Sequence, residues 1–173
     1  AGQRNHARAL RGRGEGLRGL GRMQAALGGD ARALVLEPTS VAGLNNAGST
    51  LFRLRRPEAA LATFARALEL EPNHPSVRFN ESFPRLQTGD FERGLPLLEW
   101  RWAVGHKQHA DALQAPAWLG KQSLTGKTIL LHAEQGFGDP IHFVRYAKHV
   151  AAAGATVLVQ VPPPPNPPFP VQP

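Results

Sequence analysis

Leu130-Leu-His-Ala-Glu-Gln-Gly-Phe-Gly-Asp-Pro-Ile-His-Phe-Val-Arg-Tyr146 is the stretch on which the reading of this chain turns. Thr128 to His132 is a short apolar run with the length of a buried strand. Gly136 and Gly138 loosen the backbone behind it. Asp139-Pro140 then opens a helix, with Asp as N-cap and Pro at the first helical position. Ile141, Val144, Ala147 and Ala151 line one apolar face of that helix, and Gly154 ends it. Ala155 to Val161 is a second β-rich run. Strand, glycine loop, helix and strand together have the size of one βαβ unit. A ligand is expected at the glycine loop, beyond the carboxyl end of the first strand.

Composition narrows what the 173 residues can be. Apolar residues make up 42%, enough to fill a core, and with no cysteine the protein has neither disulfides nor thiolate metal sites. No apolar run approaches the roughly 20 residues that span a bilayer. The N-terminus lacks the order of a secretion signal, so the expectation is a cytoplasmic protein with no membrane span. The sequence begins with Ala rather than Met, which suggests a missing or processed start. The net charge of +7, with Arg4, Arg8, Arg11, Arg13, Arg18 and Arg22 near the start, raises nucleic acid as a partner. No nucleic-acid motif accompanies the charge, and solvated helix faces are the favoured explanation.

An internal repeat occupies much of the remaining sequence. Ala31-Arg-Ala-Leu-Val-Leu-Glu-Pro38 returns as Ala65-Arg-Ala-Leu-Glu-Leu-Glu-Pro72, a period of 34 residues. Leu17 and Leu51, Leu20 and Leu54, and Ala26 and Ala60 keep the same offset. Leu44-x2-Ala47-Gly48-x2-Leu51, then Ala60-x3-Phe64, then Pro72 resembles the tetratricopeptide (TPR) repeat. Small Gly48 and Ala60 sit where two helices cross, Leu51, Leu61, Phe64 and Leu68 fill the space around them, and Pro72 stops the second helix.

The resemblance divides the helical part into a degenerate repeat (1–38), a TPR repeat (39–74) and a divergent one (75–105). In the first, Arg13 replaces a core Leu and Asp30 the aromatic that Phe64 supplies. The third keeps Asn80 in register with Asn46, but Glu81 and Arg85 stand at apolar positions. Pro84 should cost its first helix about 3 kcal/mol or more, and Pro96 should kink its second, 90–102. The expectation is a marginal solenoid that presents a concave surface to a protein or peptide, or that only supports the domain behind it.

Residues 106–126 read as a linker. His106, His109 and Asp111 make a weak metal signature with too few ligands, so no metal is expected. Trp118 is expected to anchor the linker on the α/β unit. Residues 162–173 are a proline-rich tail of polyproline character, attributed to truncation or a shifted reading frame rather than to a PxxP ligand.

The glycine loop fits neither common nucleotide fingerprint. It lacks the third glycine of G-x-G-x-x-G and the Gly-Lys-Ser/Thr ending of a P-loop. A carboxylate also occupies the helix start, where a phosphate would otherwise sit. Asp139 can be a cap, which the residues alone favour, or a base that accepts a hydroxyl proton.

Glu99-Trp-Arg-Trp102, Pro116-x-Trp-x-Gly120 and Gly126-Lys-Thr-Ile-Leu-Leu-His-Ala-Glu-Gln-Gly-Phe-Gly-Asp139 with Phe143-Val-Arg-Tyr146, set behind such repeats, resemble bacterial TPR-containing glycosyltransferases with a heptosyltransferase-like GT-B catalytic part. The resemblance covers residues 38–161. It implies an α plus α/β fold: a TPR-type array followed by an incomplete Rossmann-like βαβ unit at 127–161, the start of a GT-B N-terminal half. It makes Asp139 the catalytic base, with His132, Glu134, Gln135, Gly136 and Gly138 at the substrate cleft. Pro140 departs from the small polar residue usual there. The substrate implied is a nucleotide-activated sugar, with no bound cofactor. Because the donor-binding half is absent, the isolated protein is expected to be inactive. The alternative is a TPR interaction module without catalysis.

Overall fold

A computed structural model describes residues 2–105, 115–133 and 138–161, apart from the side chains of Gln3, Arg4 and Asp139. His106, His109 and Asp111, the loop residues Glu134, Gln135 and Gly136, and the tail 162–173 lie outside the described residues. The protein forms two compact units, Ala1–Asp111 and Ala112–Pro173.

The first unit is a row of helix pairs: α1 (Gly2–Gly19) with α2 (Met23–Leu36), α3 (Val41–Arg53) with α4 (Pro57–Leu70), and α5 (Pro75–Gln87) with α6 (Phe91–Leu98). A 3-10 segment, Glu99–Val104, follows α6 and packs on α5. Short-range chemistry sets the helix ends. The Ser40 hydroxyl accepts from Gly43 N at 3.2 Å to cap α3, and Asp90 accepts from Arg93 N to cap α6. Proline stands in the first turn of α4 and α5, where its missing N–H costs nothing.

The period of 34 is visible in the backbone as well as in the residues. The three turns inside the pairs place Gly21, Arg55 and Gly89 at φ of 73°, 60° and 85°. Each closes with the same long hydrogen bond: Arg22 N to Leu17 O, Arg56 N to Leu51 O and Asp90 N to Arg85 O, at 2.9–3.0 Å. These are Schellman-type helix ends, and two of the three use the residue that tolerates a left-handed φ.

The core is continuous from pair to pair. Val41, Leu44, Ala60, Phe64 and Ala67 of the middle pair bury together with Val77 of α5, and Leu34 of α2 packs against them. Phe64 lies fully buried under Gly48, where an added Cβ would come within 2.5 Å of the ring. Leu51 and Leu68, partly buried, pack against this cluster as expected, and Leu61 is partly buried as well.

The first pair repeats the arrangement in polar form. Asp30 occupies the place of Phe64 under Gly14, which occupies the place of Gly48, and an added Cβ there would meet Asp30 Oδ1 at 2.7 Å. Asp30 is fully buried. Its Oδ2 accepts from Arg18 Nη1 and from the Thr50 hydroxyl, both at 2.9 Å. Arg18 reaches Thr50 as well, and Arg11 bonds Glu37 and Ser40. The expectation that the N-terminal arginines are solvated faces therefore holds for Arg8, Arg13 and Arg22 but fails for Arg11 and Arg18. Arg18 reaches α2 and α3, and Arg11 the turn between them, because buried or half-buried acceptors await them there.

The third pair corrects a second expectation. Despite Pro84, α5 runs unbroken, and Pro84 is fully buried in the helix stack. Packing thus outweighs the propensity cost. Glu81 and Arg85, polar at apolar positions, pair with each other through Glu81 Oε1, while the buried Glu81 Oε2 accepts no hydrogen bond from the described residues. Arg85 Nε donates to Glu81 Oε1 at 2.9 Å and Arg85 Nη1 to Asp90 Oδ2 at 2.8 Å, with Arg78 3.7 Å from Glu81. Burial pulls the Arg85 pKa down, but its bonds to Glu81 and Asp90 outweigh this and raise it. Pro96 does mark a break: α6 ends two residues later and gives way to the 3-10 segment.

The second unit holds β1 (Thr128–His132) and β2 (Thr156–Gln160), paired in parallel with Thr128 opposite Thr156 and His132 opposite Gln160. Between them the single expected helix is broken into α7 (Gly138–Phe143), a 3-10 turn at Val144–Tyr146 and α8 (Ala147–Ala152). The tighter turn rotates the side chains out of register, so the expected apolar face does not form. Ile141 is 75% exposed, and Val144 and Ala151 are exposed too. Gly154 ends α8 at φ 90°, as expected. Trp118 is no buried anchor: it is 39% exposed and donates from Nε1 to Gln122 O within its own loop. Leu124 is the buried residue of that segment.

Candidate functional site

Each unit carries a concave surface among its described residues. The first lies between α3 and α5. Their side chains at i, i+3 and i+4 face the same way, so Ser49, Phe52 and Arg53 of α3 meet Asn80 and Phe83 of α5 around a pocket of about 270 Å³ with Phe64 as its floor. Phe52 stacks on Phe83 at 6.1 Å between centroids, and Phe79 meets Phe83 edge-on at 5.0 Å. This aromatic cluster is apolar and has defined geometry. Beside it Asn80 Nδ2 donates to Asn45 Oδ1 at 2.9 Å, which joins the two helices by a side-chain amide pair. The Ser49 hydroxyl donates back to Asn45 O and sits at the pocket wall.

Charge around this pocket is one-sided. Arg53 is the only ionisable residue among the described residues that line it. Arg11, Arg18, Arg78, Arg85, Arg93 and Arg101 each have a carboxylate within 4 Å, as ion pairs require. The Arg53 side chain is exposed and forms no hydrogen bond or ion pair with the described residues.

The second surface is the cleft of the β1–β2 unit, about 420 Å³ and mostly apolar. It opens at the carboxyl end of β1, where His132 and Ala133 face Pro140, Phe143 and Tyr146. Phe143 and Tyr146 stack at 6.3 Å, and the Arg145 guanidinium lies 5.8 Å from the Tyr146 ring centre. Arg145 Nε donates to His142 O at 2.7 Å, which ties the short helix to the 3-10 turn.

Of the site residues expected from sequence, His132 is the last residue of β1, partly buried and in the cleft wall. Gly138 is the first residue of α7. It is exposed, with nothing within 4 Å of an added Cβ and no positive φ, so neither space nor backbone requires glycine there. Asp139 and Pro140 both fall inside the first turn of α7, two residues further into the helix than the expected cap and N1 positions. The Asp139 side chain, Glu134, Gln135 and Gly136 lie outside the described residues. Among the described residues no cluster of three His, Asp or Glu could hold a metal, and no helix is long and apolar enough to cross a membrane.

Sequence reasoning expected a concave surface on the repeats but named none of the residues of the α3–α5 groove. The signal was present, as Phe79 and Phe83 stand one helical turn apart and the register of Asn46 with Asn80 placed α5 beside α3. Pro84, Glu81 and Arg85 directed attention to whether α5 formed at all, and away from what it presents.

Comparison with known proteins bears on the helical unit. A profile of the tetratricopeptide repeat matches residues 41–74, the α3–α4 pair and the turn after it. The NMR structure of the first TPR domain of the human RPAP3 protein aligns with a TM-score of 0.56 at 16% identity, covering 63% of this chain and 86% of that one. The first TPR of Spaghetti (RPAP3) bound to HSP90 peptide SRMEEVD aligns with a TM-score of 0.55 at 16% identity, covering 62% and 86%. At such identity the likeness is one of fold. No curated protein matches the sequence. The helical unit is thus a TPR-like repeat array with a TPR repeat at its centre, and the strand pair stands as a small parallel sheet.

Proposed function

We propose that the protein is an interaction module that holds an extended peptide segment of a partner protein in the groove between α3 and α5. The observation that carries this reading is the combination of an aromatic pocket with a side-chain amide pair. Phe52 and Phe83 accept an apolar side chain. The Asn45–Asn80 pair offers amide donors and an acceptor to a peptide backbone at the same level of the groove. The pocket is smaller than the roughly 300–1,000 Å³ of small-molecule sites, which suits one side chain better than a whole cofactor. The peptide carried by the Spaghetti (RPAP3) structure supports the same reading by analogy of fold.

Panning a displayed library of random dodecapeptides on the immobilised protein tests this. Enriched peptides should bind the protein and lose about tenfold or more in affinity to Ser49→Trp, which fills the pocket while leaving the Phe64 core in place. No enrichment, or equal binding to a Ser49→Trp variant with an unchanged melting curve, refutes the proposal.

A second reading concerns the cleft, where a parallel strand pair joined by helical turns supports a Rossmann-like start of a glycosyltransferase half. In it Asp139 is the base for an acceptor hydroxyl, and His132, Glu134, Gln135, Gly136 and Gly138 border the cleft that receives a nucleotide-activated sugar. Incubation of the protein with radiolabelled nucleotide-activated sugars and cell extract should give donor-dependent labelling that Asp139→Ala abolishes. Absent labelling, or labelling unchanged in the variant, removes this reading.

A further inference from the structure

We propose that the N-terminal helix pair, α1 with α2, is a releasable end of the array, latched to α3 by Asp30 and freed as Asp30 gives up its proton.

This end pair differs from the rest of the array in what it buries. The middle pair closes on Phe64 and Leu44, and Val77 of α5 joins them, whereas the buried apolar residues of the first pair are Ala7, Ala26 and Ala33. Its largest fully buried side chain is that of Asp30. Gly12, Gly16 and Gly28 weaken its two helices, and an added Cβ at any of them would meet nothing within 4 Å. A segment with few buried apolar side chains and weak helices opens locally at less cost than its surroundings. Side-chain hydrogen bonds hold it on its neighbour. Arg18 of α1 and Asp30 of α2 reach Thr50 at 3.2 and 2.9 Å, and Arg11 reaches Ser40 ahead of α3. Leu34 adds an apolar contact with the middle pair.

The hydrogen bonding around Asp30 is complete only when its carboxyl is neutral. Thr50 has one hydroxyl proton and two acceptors in reach, Asp30 Oδ2 and Asn46 O, each at 2.9 Å. With Asp30 ionised that proton serves only one of them, and the buried Oδ1 has no partner among the described residues. With a proton on Oδ2 the same contact runs the other way. Asp30 donates to Thr50, Thr50 donates to Asn46 O, and Thr50 still accepts from Arg18. The groups that act on Asp30 are Arg18 of α1 and Thr50 of α3, with none from α2 itself. Burial pushes the Asp30 pKa up, and the Thr50 hydrogen bond and the Arg18 charge offset this only in part.

In the open pair Asp30 meets water and ionises in the ordinary Asp range. The docked pair therefore binds the proton more tightly than the open one. Docking is strongest below about pH 4 and weakens as pH rises through the raised value, by at most about tenfold per pH unit. Release bares the α3 face that Leu34 covers and leaves the α3–α5 groove assembled.

Hydrogen exchange of the full chain, read by mass spectrometry, separates peptides from 2–36 from peptides within 41–87. After correction for the pH dependence of chemical exchange, protection of 2–36 should fall as pH rises above about 4, while protection of 41–87 holds. Asp30→Asn keeps a neutral side chain that donates to Thr50, and should remove the pH dependence of 2–36. Gly16→Ala and Gly28→Ala should each raise protection of 2–36 about fivefold and leave its pH dependence in place. Loss of protection in both segments together would show that the first pair does not open by itself. A pH-independent 2–36 segment in the wild type, or an unchanged slope in Asp30→Asn, would take the proton away from Asp30. Any of these results overturns the proposal, and the wild-type profile decides it even if Asp30→Asn fails to fold.

Discussion

Replacing Arg55 with glycine should stabilise the helical unit, and the repeat itself supplies the controls. At the same point of three successive turns the backbone adopts a left-handed φ, with glycine at 21 and 89 and arginine at 55. All three turns make the same two Schellman-type hydrogen bonds, so at this point they differ mainly in the side chain. A non-glycine residue in this conformation costs about 1–2 kcal/mol. Glycine gives back about 0.5–1 kcal/mol through its greater freedom in the unfolded state. The Arg55 side chain is exposed and makes no hydrogen bond or ion pair with the described residues, so its removal forfeits no polar contact. The net gain for Arg55→Gly is about 0.5–1 kcal/mol. For a domain of this size it corresponds to a rise in Tm of about 2–6 °C. Thermal and urea unfolding followed by far-UV circular dichroism would measure it, with Gly21→Ala and Gly89→Ala each expected to lose about 1 kcal/mol. A Tm unchanged or lowered in Arg55→Gly, while the two alanine variants fall, would refute the account. The arginine at 55 would then contribute more than its conformation costs.

Gly48→Ala should destabilise despite the better helix propensity of alanine. Its Cβ would lie 2.5 Å from the fully buried Phe64 ring, an overpacking cost of about 1–3 kcal/mol against a propensity gain of about 1 kcal/mol. Urea midpoints should fall, and Phe64→Leu in the same background should recover part of the loss. Burial raises the pKa of Asp30, and the Thr50 hydrogen bond and the Arg18 charge offset this only in part. The folded state therefore binds that proton more tightly than the unfolded one. The stability it contributes is complete below about pH 4, the ordinary Asp range, and is lost as pH rises through the raised value. Urea midpoints of the wild type should decline over that interval relative to Asp30→Asn, and parallel pH profiles would contradict the assignment. Glu81→Gln should cost about 1–3 kcal/mol, because it removes the charge from a buried acceptor that Arg85 depends on. Retention of full stability in that variant would mean that Asp90 alone satisfies Arg85.

Local pattern was enough to specify the helical array. A period of 34 residues, small residues at 48 and 60 and proline after the second helix of the first two pairs all act over short sequence distances, and such signals set where helices begin, cross and stop. The two strands and the glycine that ends the intervening helix were legible for the same reason, since strand length and a left-handed turn depend on near neighbours. The remainder depended on packing between elements. Asp30 looked like damage because a carboxylate in an aromatic position is costly until Arg18 and Thr50 arrive from 12 and 20 residues away. Pro84 looked like a break because propensity is a single-helix quantity, whereas the burial that overrides it comes from the stack. The expected apolar face of 141–151 failed on one 3-10 turn, which no periodicity count anticipates. The groove between α3 and α5 belongs to neither helix alone. Phe52, Arg53, Asn80 and Phe83 become a site only when the repeat stacks, because a surface shared by two elements is a property of their packing.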